Sequence, residues 1–240
     1  MDIAEKTLRL KTDFDDVYEA GKKAESDAFW DIFQDGGNRT NYSSAFINWN
    51  AQYIRPKYKV VPTHEHGIIQ MFNACKKLKK IESAYFDLSQ KPQNFTGNIN
   101  FGYYYTFNGC SQLEEIEDIG MIAQNHYNYA FAYCYALHTI AKMGVDANTK
   151  FSNTFTSCKE LVNLTLEGTI GQNGIDIHWS TKLSADSLKS IITALSTTTT
   201  GLTITLPTTA QSNYEAVYGS GSWTTLVATR SNCTIAYVKA

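Results

Sequence analysis

The side chains in this sequence that could carry out chemistry are five cysteines, five histidines and a crowd of tyrosines. His64, Glu65 and His66 form an H-x-H pattern, and two imidazoles alternating along a strand can begin a metal site. No third ligand is spaced near them, and solvent-facing polar residues account for the pattern without a metal. Cys134 and His138 could make a thiol–imidazole nucleophile, which needs an exposed thiol of lowered pKa. Gly174, Gly219 and Gly221 supply loops but lack the order of a phosphate cradle. No catalytic residue, metal site or cofactor is therefore expected.

The cysteines are more informative as a pattern than as reagents. Phe72, Cys75, Leu78 and Ile81 stand three residues apart, and the run recurs as Phe107, Cys110, Leu113, Ile116, as Phe131, Cys134, Leu137, Ile140, and as Phe155, Cys158, Leu161, Leu164. Self-similarity at a period of roughly 20–50 residues is the signature of stacked units sharing one core. In such a stack a thiol in a fixed slot serves as a small buried hydrophobe. Ligands spread along a stacking axis cannot converge tetrahedrally on one zinc ion. Adjacent thiols come within disulfide reach, but parallel side chains of successive units point the same way, which disfavours the bond.

The flanking elements follow from capping and periodicity. Thr12 reads as an N-cap with Asp13, Asp15 and Asp16 in the first turn, and a helix is expected over 12–34 with Gly36 and Gly37 as its stop. Tyr42, Ala45, Phe46 and Trp49 read as a worn first repeat, with Trp49 in the cysteine slot. Within each repeat the Phe and Cys are expected on a short helical or 3₁₀ segment, with Leu and Ile leading into a strand. Ile68, Tyr103, Tyr127 and Phe151, four residues before each Phe, should be core. Trp179, 24 residues after Phe155, is a candidate for the next Phe slot. Ser184 reads as the N-cap of a helix carrying Leu188, Ile191, Ile192 and Leu195, followed by a strand with Leu202, Ile204 and Leu206. A second such unit, with Trp223, ends in a strand over 234–238. Cys233 is expected to be buried where that strand begins.

The runs AFAYCYALHTI at 130–140 and TFTSCKELVNLTL at 154–166 resemble the bacterial BspA-like leucine-rich repeats, whose units read AF-x-x-C-x-x-L-x-x-I. The block FWDIFQDGGNRTNYSSAF at 29–46 is similar to the N-terminal region of repeat proteins carried by prophages of Gram-positive bacteria. The resemblance implies an α/β fold: a right-handed leucine-rich-repeat solenoid with a parallel sheet on one face. An N-terminal helical cap and an α/β C-terminal cap complete the expectation. One domain is expected over 1–240, divided into the cap at 1–41, the degenerate repeat at 42–66, the repeats at 67–178 and the C-terminal cap at 179–240. The long first interval and the missing proline after the strand depart from the commonest repeat. The resemblance implies no particular ligand, since members include surface adhesins and phage-encoded proteins.

The surface completes the reading. On the expected strands, Lys79 should neighbour Glu114, His138 and Val162, and Lys80 should neighbour Glu115, Thr139 and Asn163, a row with no single-sign patch. A net charge of −2 gives no drive toward nucleic acid. No run of about 18 apolar residues is present to insert in a membrane. The first dozen residues lack an apolar stretch, so no secretory leader is expected there. Tyr104, Tyr105, Tyr129, Tyr133 and Tyr135 form a cluster in which some rings should reach solvent, and tyrosine gives large contact area at low entropic cost. The enlarged loop at 85–99, with Asn94, is a second candidate. The expected function is a non-catalytic binding or adhesion module recognising a protein or glycan partner, at a bacterial surface or on a phage particle. The alternative is a structural or host-recognition part of a phage tail.

Overall fold

The computed structural model describes residues 41–56, 59–63, 67–88, 102–119 and 126–240. The helix expected over 12–34, the His64 and His66 pair and most of the enlarged loop, Asn94 included, lie outside them.

The segments around Phe46, Phe72, Phe107, Phe131 and Phe155 follow one backbone path. In each, the residues two before and two after the Phe take a left-handed conformation: Ser44 and Asn48, Gln70 and Ala74, Tyr105 and Gly109, Tyr129 and Tyr133, Asn153 and Ser157. Only Gly109 does so without a Cβ penalty; the others cost about 1 kcal/mol or more apiece. Hydrogen bonds on both sides hold them there. Around Phe131 the N–H groups of Tyr129, Phe131 and Tyr133 donate to Ser152, Thr154 and Thr156 of the next segment at 2.9, 3.1 and 2.8 Å. The alternating groups of Ala130, Ala132 and Cys134 donate three residues back, to Tyr127, Tyr129 and Phe131. No donor in the run is left over, as buried backbone demands. The expected short helix is thus replaced by a chain of turns, because left-handed residues interrupt the helical path and every second N–H is committed to a neighbour.

Each segment leads into a strand. β1 (Lys80–Ile81), β2 (Glu115–Ile116), β3 (Thr139–Val145) and β4 (Asn163–Gly168) pair in parallel and in chain order. Lys80, Glu115, Thr139 and Asn163 stand abreast, as do Ile81, Ile116, Ile140 and Leu164. The row one residue earlier is tied by N–H bonds from Glu114 to Lys79, His138 to Glu114 and Val162 to His138. The expected cross-strand register therefore holds. β3 carries one extra residue against β4 between Ile140 and Met143, a bulge of the kind that adds twist.

Side chains stack in columns behind the strands. Phe46, Phe72, Phe107, Phe131 and Phe155 form a continuous pile with ring centroids 5.3, 5.4, 5.6 and 5.6 Å apart. Tyr103 lies 4.9 Å from Tyr127, which lies 6.1 Å from Phe151, all buried. The Tyr127 hydroxyl donates to Gly144 O at 2.7 Å, and that of Tyr103 reaches Ile119 O at 3.0 Å, so neither ring buries an unpaired oxygen. The thiols explain their own slot. Cys75, Cys110, Cys134 and Cys158 each donate Sγ–H to the carbonyl of the Phe one segment earlier, at 2.8, 3.0, 3.0 and 3.1 Å. Burial pushes the pKa of Cys110, Cys134 and Cys158 upward, as expected of a small hydrophobe with a weak donor.

After β4 the path changes. Ser180 N–H donates to Ile177 O and Leu183 N–H to Ser180 O, repeating the bonds made by Cys and Leu in earlier segments. The slot after Phe155 is therefore filled by Ile177, and Trp179 is displaced to a half-exposed position beside His178 and Lys159. From Ser184 the chain forms α1 (Ala185–Ala194) in place of a strand, capped by Ser184 Oγ accepting from Ser187 N. α1 covers the edge of β4 with hydroxyls: Ser187 Oγ and Ser190 Oγ each accept, at 2.8 Å, from the N–H groups of Leu164 and Leu166. A helix covering an open strand edge in this way removes a site for unwanted pairing. β5 (Leu202–Pro207), α2 (Ala210–Tyr218), α3 (Ser222–Ala228) and β6 (Cys233–Val238) follow, with β5 and β6 parallel. Cys233 opens β6 half-buried rather than fully buried, since β6 is mostly solvent-facing.

The described chain is thus mixed α/β with two parallel sheets and three helices, and no closed barrel among the described residues. No helix in them is long and apolar enough to cross a membrane.

Candidate functional site

The left-handed slots set where the candidate tyrosines stand. Tyr105 and Tyr129 occupy the same slot two before successive phenylalanines, so their rings meet face to face, with centroids 4.7 Å apart and planes 2° from parallel. Tyr104 closes the outer end, edge-on to Tyr105 at 4.5 Å. Tyr133, in the slot two after Phe131, meets Tyr135 edge-on at 6.3 Å. Tyr104, Tyr105 and Tyr129 are half-buried, whereas Tyr133 and Tyr135 keep 45% and 49% of their surface in water. Burial first, then the neighbouring hydroxyls of Tyr104, Tyr129 and Tyr133, raise the Tyr105 pKa, which places the rings in one field. The five expected tyrosines therefore form two ring groups, the trio of Tyr104, Tyr105 and Tyr129 and the pair of Tyr133 and Tyr135, with Tyr133 in electrostatic reach of Tyr105. Asn94 falls outside the described residues.

The stack is bounded by a different chemistry. One segment beyond Tyr129 the same slot holds Asn153, and Asn153 with Asn128, Gln172 and Asn173 lines a cleft of about 480 Å³. The sequence pattern does not single out these amides, because they stand far apart in the chain and only Asn128 and Asn153 lie within the repeated segments. Their one signal is the clustering of Asn and Gln in 148–153 and 172–173.

The residues weighed for nucleophilic chemistry are held apart. Cys134 is fully buried, donates its thiol proton to Phe107 O and has a raised pKa, the reverse of an activated thiol. His138 is solvent-exposed and pairs with Thr139 Oγ1 at 3.1 Å. His64 and His66 are outside the described residues, and no group of three or more His, Cys, Asp or Glu among the described residues could hold a metal ion.

The charged row is internally matched. Lys80 reaches Glu115 at 3.1 Å and Glu117 at 2.8 Å, Arg55 meets Glu82 at 2.8 Å, and Lys142 meets Glu167 at 3.2 Å. Glu117 also accepts from the N–H and hydroxyl of Ser83, both at 2.8 Å. The Lys80 ammonium and then the Ser83 N–H hold its carboxyl well below the usual range, at about 2. The Lys80–Glu115 and Lys142–Glu167 pairs join successive strands, and the row presents no field of one sign to a charged polymer.

Compared with protein-family models, curated proteins and solved structures, the chain matches none.

Proposed function

We propose that this chain is a right-handed solenoid of the BspA-like leucine-rich-repeat kind and that it acts as a non-catalytic binding module. Its contact surface is the face carrying Tyr104, Tyr105, Tyr129, Tyr133 and Tyr135. In-order parallel strands, the single phenylalanine pile and thiols in one repeated slot support the solenoid reading. The observation that carries the functional reading is Tyr133 and Tyr135, aromatic side chains nearly half exposed beside a stacked tyrosine trio on a rigid ladder. Exposed tyrosines held in place lose little entropy on contact and suit a protein or carbohydrate surface in an adhesive role.

An array carrying both glycans and displayed peptides tests this, with Tyr133→Asn and Tyr135→Ser combined in one variant. Asn tolerates the left-handed backbone of position 133, so the variant should melt with the wild type. Wild-type binding that falls at least tenfold in the variant supports the reading. Binding that survives both substitutions, or a wild type that binds nothing on the array, overturns it.

A further inference from the structure

We infer that the amide-lined cleft beside Tyr129 is a subsite for a neutral oligosaccharide, an inference that rests on the tyrosine face being the binding surface and names its ligand. Asn128, Asn153, Gln172 and Asn173 line the cleft together with Lys150 and Asp176. Its volume of about 480 Å³ falls within the range of small-ligand clefts, roughly 300–1,000 Å³.

The polar groups are oriented before any ligand arrives. Asn128 Oδ1 accepts from Ser152 N at 2.9 Å and Asn173 Oδ1 accepts from Thr203 N at 2.6 Å. Each amide is thereby fixed with its carbonyl on the protein backbone, which leaves its NH₂ group to donate. Acceptors line the same cleft. Asn153 spends its Nδ2 on Ser152 Oγ at 3.3 Å and keeps Oδ1, and Asp176 spends Oδ1 on the His178 N–H and ring and keeps Oδ2. Fixed donors and fixed acceptors in one lining suit a ligand whose every polar group both donates and accepts, which is the property of hydroxyls. The lining carries one basic residue, Lys150, and one acidic residue, Asp176, so neither a polyanion nor a polycation is favoured.

The neighbouring surface supplies the other half of sugar recognition. The Tyr105–Tyr129 stack stops where Asn153 takes over its slot, and the backbone N–H of Tyr129 bonds to Ser152 O at 2.9 Å, which joins the segment bearing the last ring to the cleft wall. Aromatic rings accept the C–H face of a pyranose while amides take its hydroxyls. A peptide would instead need an apolar anchor pocket or an open strand edge. Phe151, the one aromatic lining the cleft, is 1% exposed and offers no such pocket.

The test is titration of the whole protein with cellotetraose, chitotetraose, maltotetraose and mannotetraose, followed through the side-chain amide signals of Asn and Gln. The variants are Gln172→Ala, an exposed side chain, and Asn153→Gly, which keeps the left-handed backbone. At least one tetrasaccharide should shift the cleft amides saturably, and either substitution should weaken that binding at least fivefold at unchanged melting temperature. Failure of all four sugars to move those signals, or equal affinity in both variants, overturns the subsite. Array binding to peptides alone, lost with Tyr133→Asn and Tyr135→Ser, would sink the subsite and leave the binding surface standing. Sugar binding lost with Gln172→Ala but kept without Tyr133 and Tyr135 would do the opposite.

Discussion

Replacing Ser187 by alanine removes one of the two hydroxyls that join the sheet to the helix covering its edge, and leaves Ser190 in place. Ser187 Oγ accepts from Leu164 N at 2.8 Å, donates to Val162 O at 2.9 Å and lies 2.9 Å from Ser184 Oγ. Val162 O keeps a second donor in Ser184 N, so its loss is small. Leu164 N has no other acceptor in reach of the ladder, because β4 is the last strand of its sheet and α1 stands where the next strand would be. A buried N–H left unsatisfied costs about 1–3 kcal/mol. With the lost bond to Val162 O included, the loss should be about 2 kcal/mol, since the N-cap bond from the backbone N–H of residue 187 to Ser184 Oγ is kept. For a chain of this size each kcal/mol lowers Tm by about 2–4 °C, so the shift should be about 4–8 °C. The same exchange at Ser212, on the exposed face of α2, should stay within about 0.5 kcal/mol. Urea denaturation gives the global figure, and amide hydrogen exchange gives the local one, since stacked units need not unfold as one body. Leu164 and Leu166 should lose protection before Ile140. A loss under about 0.5 kcal/mol with Leu164 protection unchanged would refute the reasoning.

Two other perturbations probe the stack elsewhere. A Cβ at Gly171 would lie 2.6 Å from Ala147 O and 3.0 Å from Ala147 Cα. Gly171→Ala should therefore destabilise by roughly 1–3 kcal/mol in a thermal melt, and a neutral result would show that the two segments can part freely. Acid titration addresses Glu117, whose folded pKa of about 2 lies below its ordinary 4.5. A depressed carboxylate stabilises the fold fully above about pH 4.5, and the contribution disappears as pH falls through about 2. Its side chain is one-third exposed, so solvent screening limits the effect to about 1 kcal/mol. Glu117→Gln should flatten the stability–pH curve in that window by about this amount. An unchanged slope would mean the Lys80 and Ser83 contacts do not hold in solution.

What could be read from the sequence depended on how side chains report on backbone. The columns of Phe72, Phe107, Phe131 and Phe155 and of the four repeat cysteines were legible because three-residue spacing brings like residues to like depth, and the register of Lys80, Glu115, Thr139 and Asn163 follows at once. The capped helix α1 and the strands β5 and β6 were legible from Ser184 and from alternation. The left-handed turns were not, because their slots hold Ser, Asn, Gln, Ala and Tyr as well as Gly, and neighbouring segments rather than residue preference impose the geometry. Counting 24 residues onward from Phe155 lands on Trp179, yet Ile177, Ser180 and Leu183 continue the pattern with the same three-residue steps. Ile177 is fully buried in the slot, whereas the bulkier Trp179 is left half-exposed. The tyrosines were legible as a cluster, whereas the amide cleft depended on bringing 128, 153 and 172–173 together, which only the stacked fold does.

Successive units lie in register, with each thiol buried beneath the preceding phenylalanine carbonyl, and both the tyrosine stack and the amide cleft depend on that register. Native-state thiol labelling at mild alkaline pH, resolved by mass spectrometry, tests this directly. Half-exposed Cys233 should label first and alone, and Cys75, Cys110, Cys134 and Cys158 should label only at the rate of unfolding. Rapid labelling of any of those four in the folded protein would contradict the stacked arrangement.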